Sequence, residues 1–173
     1  MKSKILIGLT LVISSLIFSC KEDRDYLLGL PELDHHYYIA YVPYNNAQIT
    51  VNRNQSSLLK LPVSFNSSFT RGYDAVAHYR ITKGTAANTT SATLGVDFQI
   101  VNKEGAAIQP SADGKYAIVF PQAKKARDTI YVKLLNNPAP GDKSINIDLI
   151  RNTTNEFIVD TMSVAYRRPI LIK

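Results

Sequence analysis

Apolar and polar residues alternate with a period of two along most of this chain, the signature of strands that bury one face. Leu59, Leu61, Val63 and Phe65 fall on one side of the run from Leu58 to Phe65, with Lys60, Pro62 and Ser64 on the other. Pro62 cannot donate to a ladder, so an edge strand or a bulge is expected there. In the run from Ala75 to Thr82, Ala75, Ala77, Tyr79 and Ile81 turn inward, and His78, Arg80 and Thr82 outward. Ile130, Val132 and Leu134 share a face, as do Ile145, Ile147 and Leu149. Further strands are expected at Tyr37–Val42, Gln48–Val51, Asp97–Val101, Tyr116–Phe120 and within Phe157–Ile172. Turn chemistry separates them: Arg71-Gly72, Asp113-Gly114 and the loop from Asn136 to Asp142. About seven to nine short strands at this spacing predict an all-β, antiparallel β-sandwich. The alternation predicts that each sheet keeps one wet face.

The first residues break this pattern. Lys2 and Lys4 precede an apolar run from Ile5 to Phe18, shorter than the roughly twenty residues of a bilayer span. Charge followed by a short apolar run reads as a signal peptide over residues 1–19. Leu16-Ile17-Phe18-Ser19-Cys20 resembles a lipobox: Ser19 is the small residue a signal peptidase requires, and Cys20 supplies the thiol to be lipidated. Phe18 is bulkier than the usual residue at its place. The alternative is an ordinary signal peptide with an incidental cysteine. Cys20 is the only cysteine, so no intrachain disulfide staples the fold. Lys21, Glu22, Asp23 and Asp25 follow; they resemble the surface-export tag of Bacteroidota-type lipoproteins, and otherwise read as a solvated charged tether. A multiply acylated cysteine would satisfy the need for more than one chain in stable anchoring.

Charge adds little. Twenty basic and 14 acidic residues give a formal net charge of +6, and two of the basic residues lie in the leader. The small clusters Lys124-Lys125-Arg127 and Arg167-Arg168 lack the interleaved aromatics of a nucleic-acid site, so no nucleic-acid partner is expected. Ten tyrosines accompany no tryptophan, which weakens the case for a tryptophan-type sugar platform.

Between residues 76 and 150 the order of motifs becomes specific. The strand into Lys83-Gly84-Thr85-Ala86 is followed by Gly95-Val96-Asp97-Phe98, then Ile118-Val119-Phe120-Pro121, a basic turn, Asp128-Thr129-Ile130-Tyr131-Val132, a long loop and Ser144-Ile145-Asn146-Ile147-Asp148-Leu149. This resembles the Calx-beta domain and the Bacteroidota lipoproteins that carry such domains, and it implies an immunoglobulin-like sandwich. The resemblance also implies Ca²⁺ bound through acidic loop residues at one end. Here Asn136 and Asn137 stand where paired acids are expected, which leaves Asp97 and Asp142 as a thin candidate set for an ion that wants six to eight oxygens. Gly95-Val96-Asp97 reads equally well as a turn.

Candidate chemistry elsewhere is sparse. His35 and His36 are adjacent, so in a strand they point to opposite faces and do not share an ion; no other metal site and no cofactor are expected. No nucleophile elbow or ordered triad stands out, and no enzymatic activity is expected. Tyr37, Tyr38, Tyr41 and Tyr44 form the densest aromatic patch and are the candidate binding aromatics. Tyr37 and Tyr41 should share one face, with Tyr38 and Tyr44 on the other; one set then belongs to the core. Asp128-Thr129-Ile130 and Asp160-Thr161-Met162 resemble the O-glycosylation acceptor of exported Bacteroidota proteins, which requires Thr129 and Thr161 to face water. Otherwise they are two strand starts.

The expected organisation is a signal peptide over 1–19, an acylated tether over 20–36 and a Calx-beta-like sandwich over 37–173. The expected role is a non-enzymatic lipoprotein, anchored to the outer membrane through Cys20 and exposed at the cell surface. It would serve as an accessory or binding module of a glycan-uptake transporter complex. The alternatives are a structural subunit of a surface or fimbria-like assembly, and a small hydrolase. A terminal strand over Ser163–Ile172 that is easily exchanged would favour the structural subunit.

Overall fold

The computed structural model describes residues 35–67 and 69–173. Twelve strands make up the described chain: β1 (His36–Tyr41), β2 (Ile49–Val51), β3 (Leu59–Asn66), β4 (Ala75–Lys83), β5 (Thr90–Ser91), β6 (Phe98–Val101), β7 (Tyr116–Phe120), β8 (Arg127–Leu134), β9 (Lys143–Ile150), β10 (Asn152–Thr153), β11 (Ile158–Thr161) and β12 (Arg167–Ile172). The first sheet runs β10-β11-β1-β3-β8-β6 and the second β2-β12-β9-β4-β7. β5 pairs with Lys143 and Ser144 of β9, just beyond the point where β4 ends opposite Ile145.

The period-two residues meet between the sheets. Leu61, Val63, Ile130, Val132, Ile39 and Phe98 of the first sheet face Ile145, Ile147, Leu149, Ala77 and Ile170 of the second, all nearly inaccessible. Phe65 and Phe120 stack across the gap with centroids 4.2 Å apart. The Tyr41 hydroxyl donates to the Ile147 carbonyl oxygen at 3.0 Å, tying β1 to β9. The result is an all-β, immunoglobulin-like sandwich.

Three details differ from the sequence expectation. Parallel pairs β1–β11, β2–β12 and β5–β9 join the antiparallel ones, so both sheets are mixed. Pro62 does not mark an edge, for β3 lies between β1 and β8. The Pro62 carbonyl accepts from Val42 N–H, where the chain leaves β1, so the missing Pro62 donor faces a strand end and costs no ladder bond. Finally, β9 has no wet face: Ser144, Asn146 and Asp148 are as buried as the isoleucines between them. The end of β4 and the segment after it meet the first two, with Asn146 Nδ2 donating to Lys83 O at 2.8 Å and Thr89 Oγ1 sharing a hydrogen with Ser144 Oγ at 2.6 Å.

The run from Phe157 to Ile172 is broken into β11, a 3-10 turn at Ser163–Tyr166 and β12. β12 pairs with both β9 and β2 and is locked inside its sheet.

His78, on β4, is half-buried. Burial, then the Lys115 ammonium, push its imidazole below the ordinary 6.5, with Asp113 opposing. A depressed folded value means that the unfolded chain takes up the proton first. The stability contributed by the neutral ring is therefore complete above the ordinary value and is lost as pH falls from there through the folded value. Melting at pH 7 and pH 5 should show a larger loss for the wild type than for His78→Gln. Equal losses would remove His78 from the acid sensitivity.

Candidate functional site

The signal-peptide residues, Ser19, Cys20, Lys21, Glu22, Asp23 and Asp25, lie outside the described residues.

The four tyrosines of the aromatic patch divide by strand alternation. Tyr37 and Tyr41 point between the sheets and are 2% and 0% exposed, so they are not binding aromatics. Burial raises the Tyr41 hydroxyl well above its usual pKa, with the Arg168 guanidinium opposing. Tyr37 ends a chain of hydroxyls: Arg71 Nε donates to Tyr37 Oη at 3.2 Å, and Tyr37 and Tyr73 share a hydrogen at 2.7 Å. Tyr73 in turn meets His35 Nδ1 at 2.5 Å. This network fastens the loop before β4 to β1.

Tyr38 and Tyr44 face outward and are 40% and 57% exposed. They stand on the outer face of the first sheet, and the pairing of β1 decides their neighbours. Tyr38 lies between Asp160 of β11 and Asn66 of β3. Asn66 Nδ2 donates to the Tyr38 carbonyl at 3.4 Å. The His36 ring stacks on Tyr38, centroids 4.9 Å apart and planes 12° apart. Asp160 is 3.6 Å from His36 Nε2 and 3.8 Å from Arg151 Nε. Two residue pairs further along, Ala40 is opposite Ser64, and the Tyr44 hydroxyl meets Ser64 Oγ at 3.1 Å. Two exposed tyrosines thus stand on the outer side of the sheet, bordered by a carboxylate, an amide, a hydroxyl and an imidazole.

Tyr44 sits on a short loop that cannot wander. Arg168, 3% exposed, donates to Pro43 O at 3.0 Å, Asn45 Oδ1 at 3.0 Å and Ala47 O at 3.2 Å. Its guanidinium lies 5.0 Å from the Tyr41 ring centre. A buried cation thereby fixes the loop that presents an exposed aromatic. Sequence reasoning missed Arg168, Ser64, Asn66 and Asp160. The last three occupy outward positions on alternating strands, but only the strand pairing shows that they adjoin Tyr38 and Tyr44.

The Ca²⁺ candidates do not fit an ion. Asp97 is buried, and each of its carboxylate oxygens already accepts a hydrogen bond: Oδ2 from Thr93 N–H and Oδ1 from Asn137 Nδ2, both at 2.7 Å. The loop after β8 closes on a guanidinium instead. Arg53 donates to Asn137 O at 3.2 Å, to Ala139 O, and to Gly141 O at 2.8 Å. Asp142 is half-buried, and its carbonyl accepts from Thr90 N–H. No group of three metal-ligating acids, histidines or cysteines occurs among the described residues.

Thr129 and Thr161 part company. Each backbone N–H bonds the preceding aspartate, Asp128 or Asp160, at 2.7 and 2.8 Å. Thr129 lies on the outer face, alternating with buried Ile130. Thr161, at the end of β11, pairs with Ile39 and shares the inward side of Val159, yet it is half-buried like Thr129.

No family model matches this chain. No curated protein matches it by sequence either. By structure it is similar to an apo-form Calx CBD1 domain, with a TM-score of 0.52, 16% identity, and coverage of 79% of this chain and 95% of that one. It also aligns with CBD12 from CALX1.2, at a TM-score of 0.49 and 16% identity, over 78% of this chain and 43% of that one. The likeness to the CBD1 domain is one of fold: an immunoglobulin-like sandwich of the Calx-beta kind.

Proposed function

We propose that this protein is a non-enzymatic glycan-binding module, carried on the outer membrane by a lipid at Cys20 and acting beside a nutrient-uptake transporter. The observation that carries the binding function is the pair of exposed tyrosine rings, Tyr38 and Tyr44, on the outer face of the first sheet, with Asp160 and Asn66 beside Tyr38 and buried Ser64 holding the Tyr44 hydroxyl. Ring faces stack on the apolar faces of sugars, and the polar neighbours select hydroxyls. The membrane and surface assignment rests on the lipobox-like Leu16–Cys20 and the charges after it.

Two rival readings lose ground. A strand-exchanging structural subunit needs a removable terminal strand, whereas β12 is held on both sides. A hydrolase needs polar groups converging in a pocket. The groove of about 460 Å³ between β7 and β8 holds two carboxylates, Glu104 and Asp128; Asp128 is already bound to Lys125 Nζ at 2.8 Å and to Thr129 N–H, and among the described residues no histidine, serine or cysteine lines the groove.

The test is purification of the native protein from mildly solubilised outer membranes, with crosslinking and mass spectrometry. Recovery with a transporter or a glycan-binding lipoprotein is expected. A Tyr38→Ala/Tyr44→Ala variant, its melting temperature unchanged, should bind that system's glycan about tenfold more weakly or worse, as loss of aromatic hot spots does. Self-crosslinked ladders alone would overturn the reading.

A further inference from the structure

The outer face that carries Tyr38 and Tyr44 continues across β3, β8 and β6, where the charged side chains projecting outward from the strands are cations; the nearest carboxylates are Asp128, held by Lys125, and Glu104 on the loop after β6. Lys60 points outward from β3, and Arg127 and Lys133 from β8; all three are exposed. None has an ion-pair partner among the described residues, in contrast to Lys125 and Arg151, which meet Asp128 and Asp160. Lys60 lies directly opposite Tyr131, and Arg127 opposite Ser64, the residue that holds the Tyr44 hydroxyl. Lys133 is opposite Gln99 and diagonal to Lys60. By strand geometry, the Lys60 and Arg127 levels are about 13 Å apart, and Lys133 is roughly 7–8 Å from Lys60. Along the strands of this sheet the outward carboxylate is Asp160, at the far margin and already flanked by His36 and Arg151.

We infer that the ligand of this face is an acidic polysaccharide, whose repeated anions meet Lys60, Arg127 and Lys133 while its sugar rings lie on Tyr38, Tyr44 and Tyr131. The inference rests on the glycan-binding reading and adds the glycan's charge. Three cations separated along two paired strands suit an extended chain with anions at intervals, not a single compact anion. Unpaired exposed ammonium and guanidinium groups attract a polyanion over about a Debye length. Thr129 stands between the Lys60 and Arg127 levels, Gln99 beside Lys133 and Asn66 beside Tyr38, and their amides and hydroxyl ask for a hydroxyl-rich partner. That favours a polysaccharide over an anionic lipid surface, which offers such groups little to bond.

The experiment uses the full chain in mild zwitterionic detergent. The probes are polygalacturonate, neutral dextran, a single-stranded DNA oligomer and anionic-lipid nanodiscs. Binding of polygalacturonate is expected, weakening as salt rises. Lys60→Glu/Arg127→Glu/Lys133→Glu should lower the affinity at least tenfold with the melting temperature unchanged. Equal binding of dextran, unaffected by the triple variant, would overturn the acidic ligand and leave the glycan-binding face standing. Binding of neither polysaccharide would overturn both. DNA or nanodiscs bound as tightly as polygalacturonate would show a general polyanion or membrane surface and overturn the inference.

Discussion

Alanine in place of Gly84 is expected to destabilise the sandwich by about 3 kcal/mol or more, a large fraction of the stability of an ordinary domain. Gly84 follows Lys83, the last residue of β4, and comes against Ser144 of β9. A methyl group added there would overlap the Ser144 Oγ, Cβ and backbone carbonyl carbon. Ser144 cannot retreat. It is 2% exposed, its hydroxyl is bonded to Thr89, and its carbonyl accepts from Ala92 N–H at 3.0 Å. The overlap is therefore relieved only by lifting the segment 84–92, which takes β5 off β9 and breaks the bonds of Thr89 and Ala92 to Ser144. Chemical denaturation of Gly84→Ala against wild type measures the loss. Adding Ser144→Gly should restore only part of it, since the overlap with the backbone carbon remains. A Gly84→Ala midpoint within the error of wild type would show that β5 and its loop can move at little cost.

The same region shows what alternation can and cannot reveal. The inward residues of β4, β8 and β9 follow from period two, because a buried strand face needs apolar side chains at every second place. Ser144, Asn146 and Asp148 occupy the other places and look solvated, yet they are buried. Their cover comes from residues 83–92 and from Arg167, distant in sequence, and polarity alone does not distinguish a wet hydroxyl from a bonded one. The division of Tyr37 and Tyr41 from Tyr38 and Tyr44 was legible for the same reason that the core was. Which pair met water was decided by the second sheet. The neighbours of Tyr38 were not legible, because β1 pairs in parallel with β11, more than a hundred residues away, and period two fixes faces but not partners. The cations Lys60, Arg127 and Lys133 are scattered in sequence and gather only through the β3–β8 pairing. Pro62 misled because a missing donor is harmless where the neighbouring strand has ended.

Asp148 gives the second large effect, and its direction depends on what replaces the pair. Arg167 donates to it twice, Nε to Oδ1 and Nη2 to Oδ2, each at 2.8 Å, and Thr82 Oγ1 adds a third bond at 2.9 Å. The carboxylate side chain is 4% exposed and the arginine 32%. Breaking a buried pair by removing one partner costs about 3–5 kcal/mol, because the other charge stays without compensation. The unequal exposure orders the two single variants. Asp148→Leu leaves a guanidinium that water still reaches, so its cost should be near the lower end, about 3 kcal/mol. Arg167→Leu strands a carboxylate with one hydroxyl for company in a dry site, so it should cost more and should soften at acid pH, where protonation removes the stranded charge. Replacing both by leucine removes the two desolvation penalties together and should recover most of the loss, since apolar substitutes for a buried ion pair are often neutral or better. Denaturation of the four proteins closes the cycle. If Asp148→Leu proves the more damaging single variant, the acid would be acting through Thr82 and β4 and not chiefly as the counter-charge of Arg167.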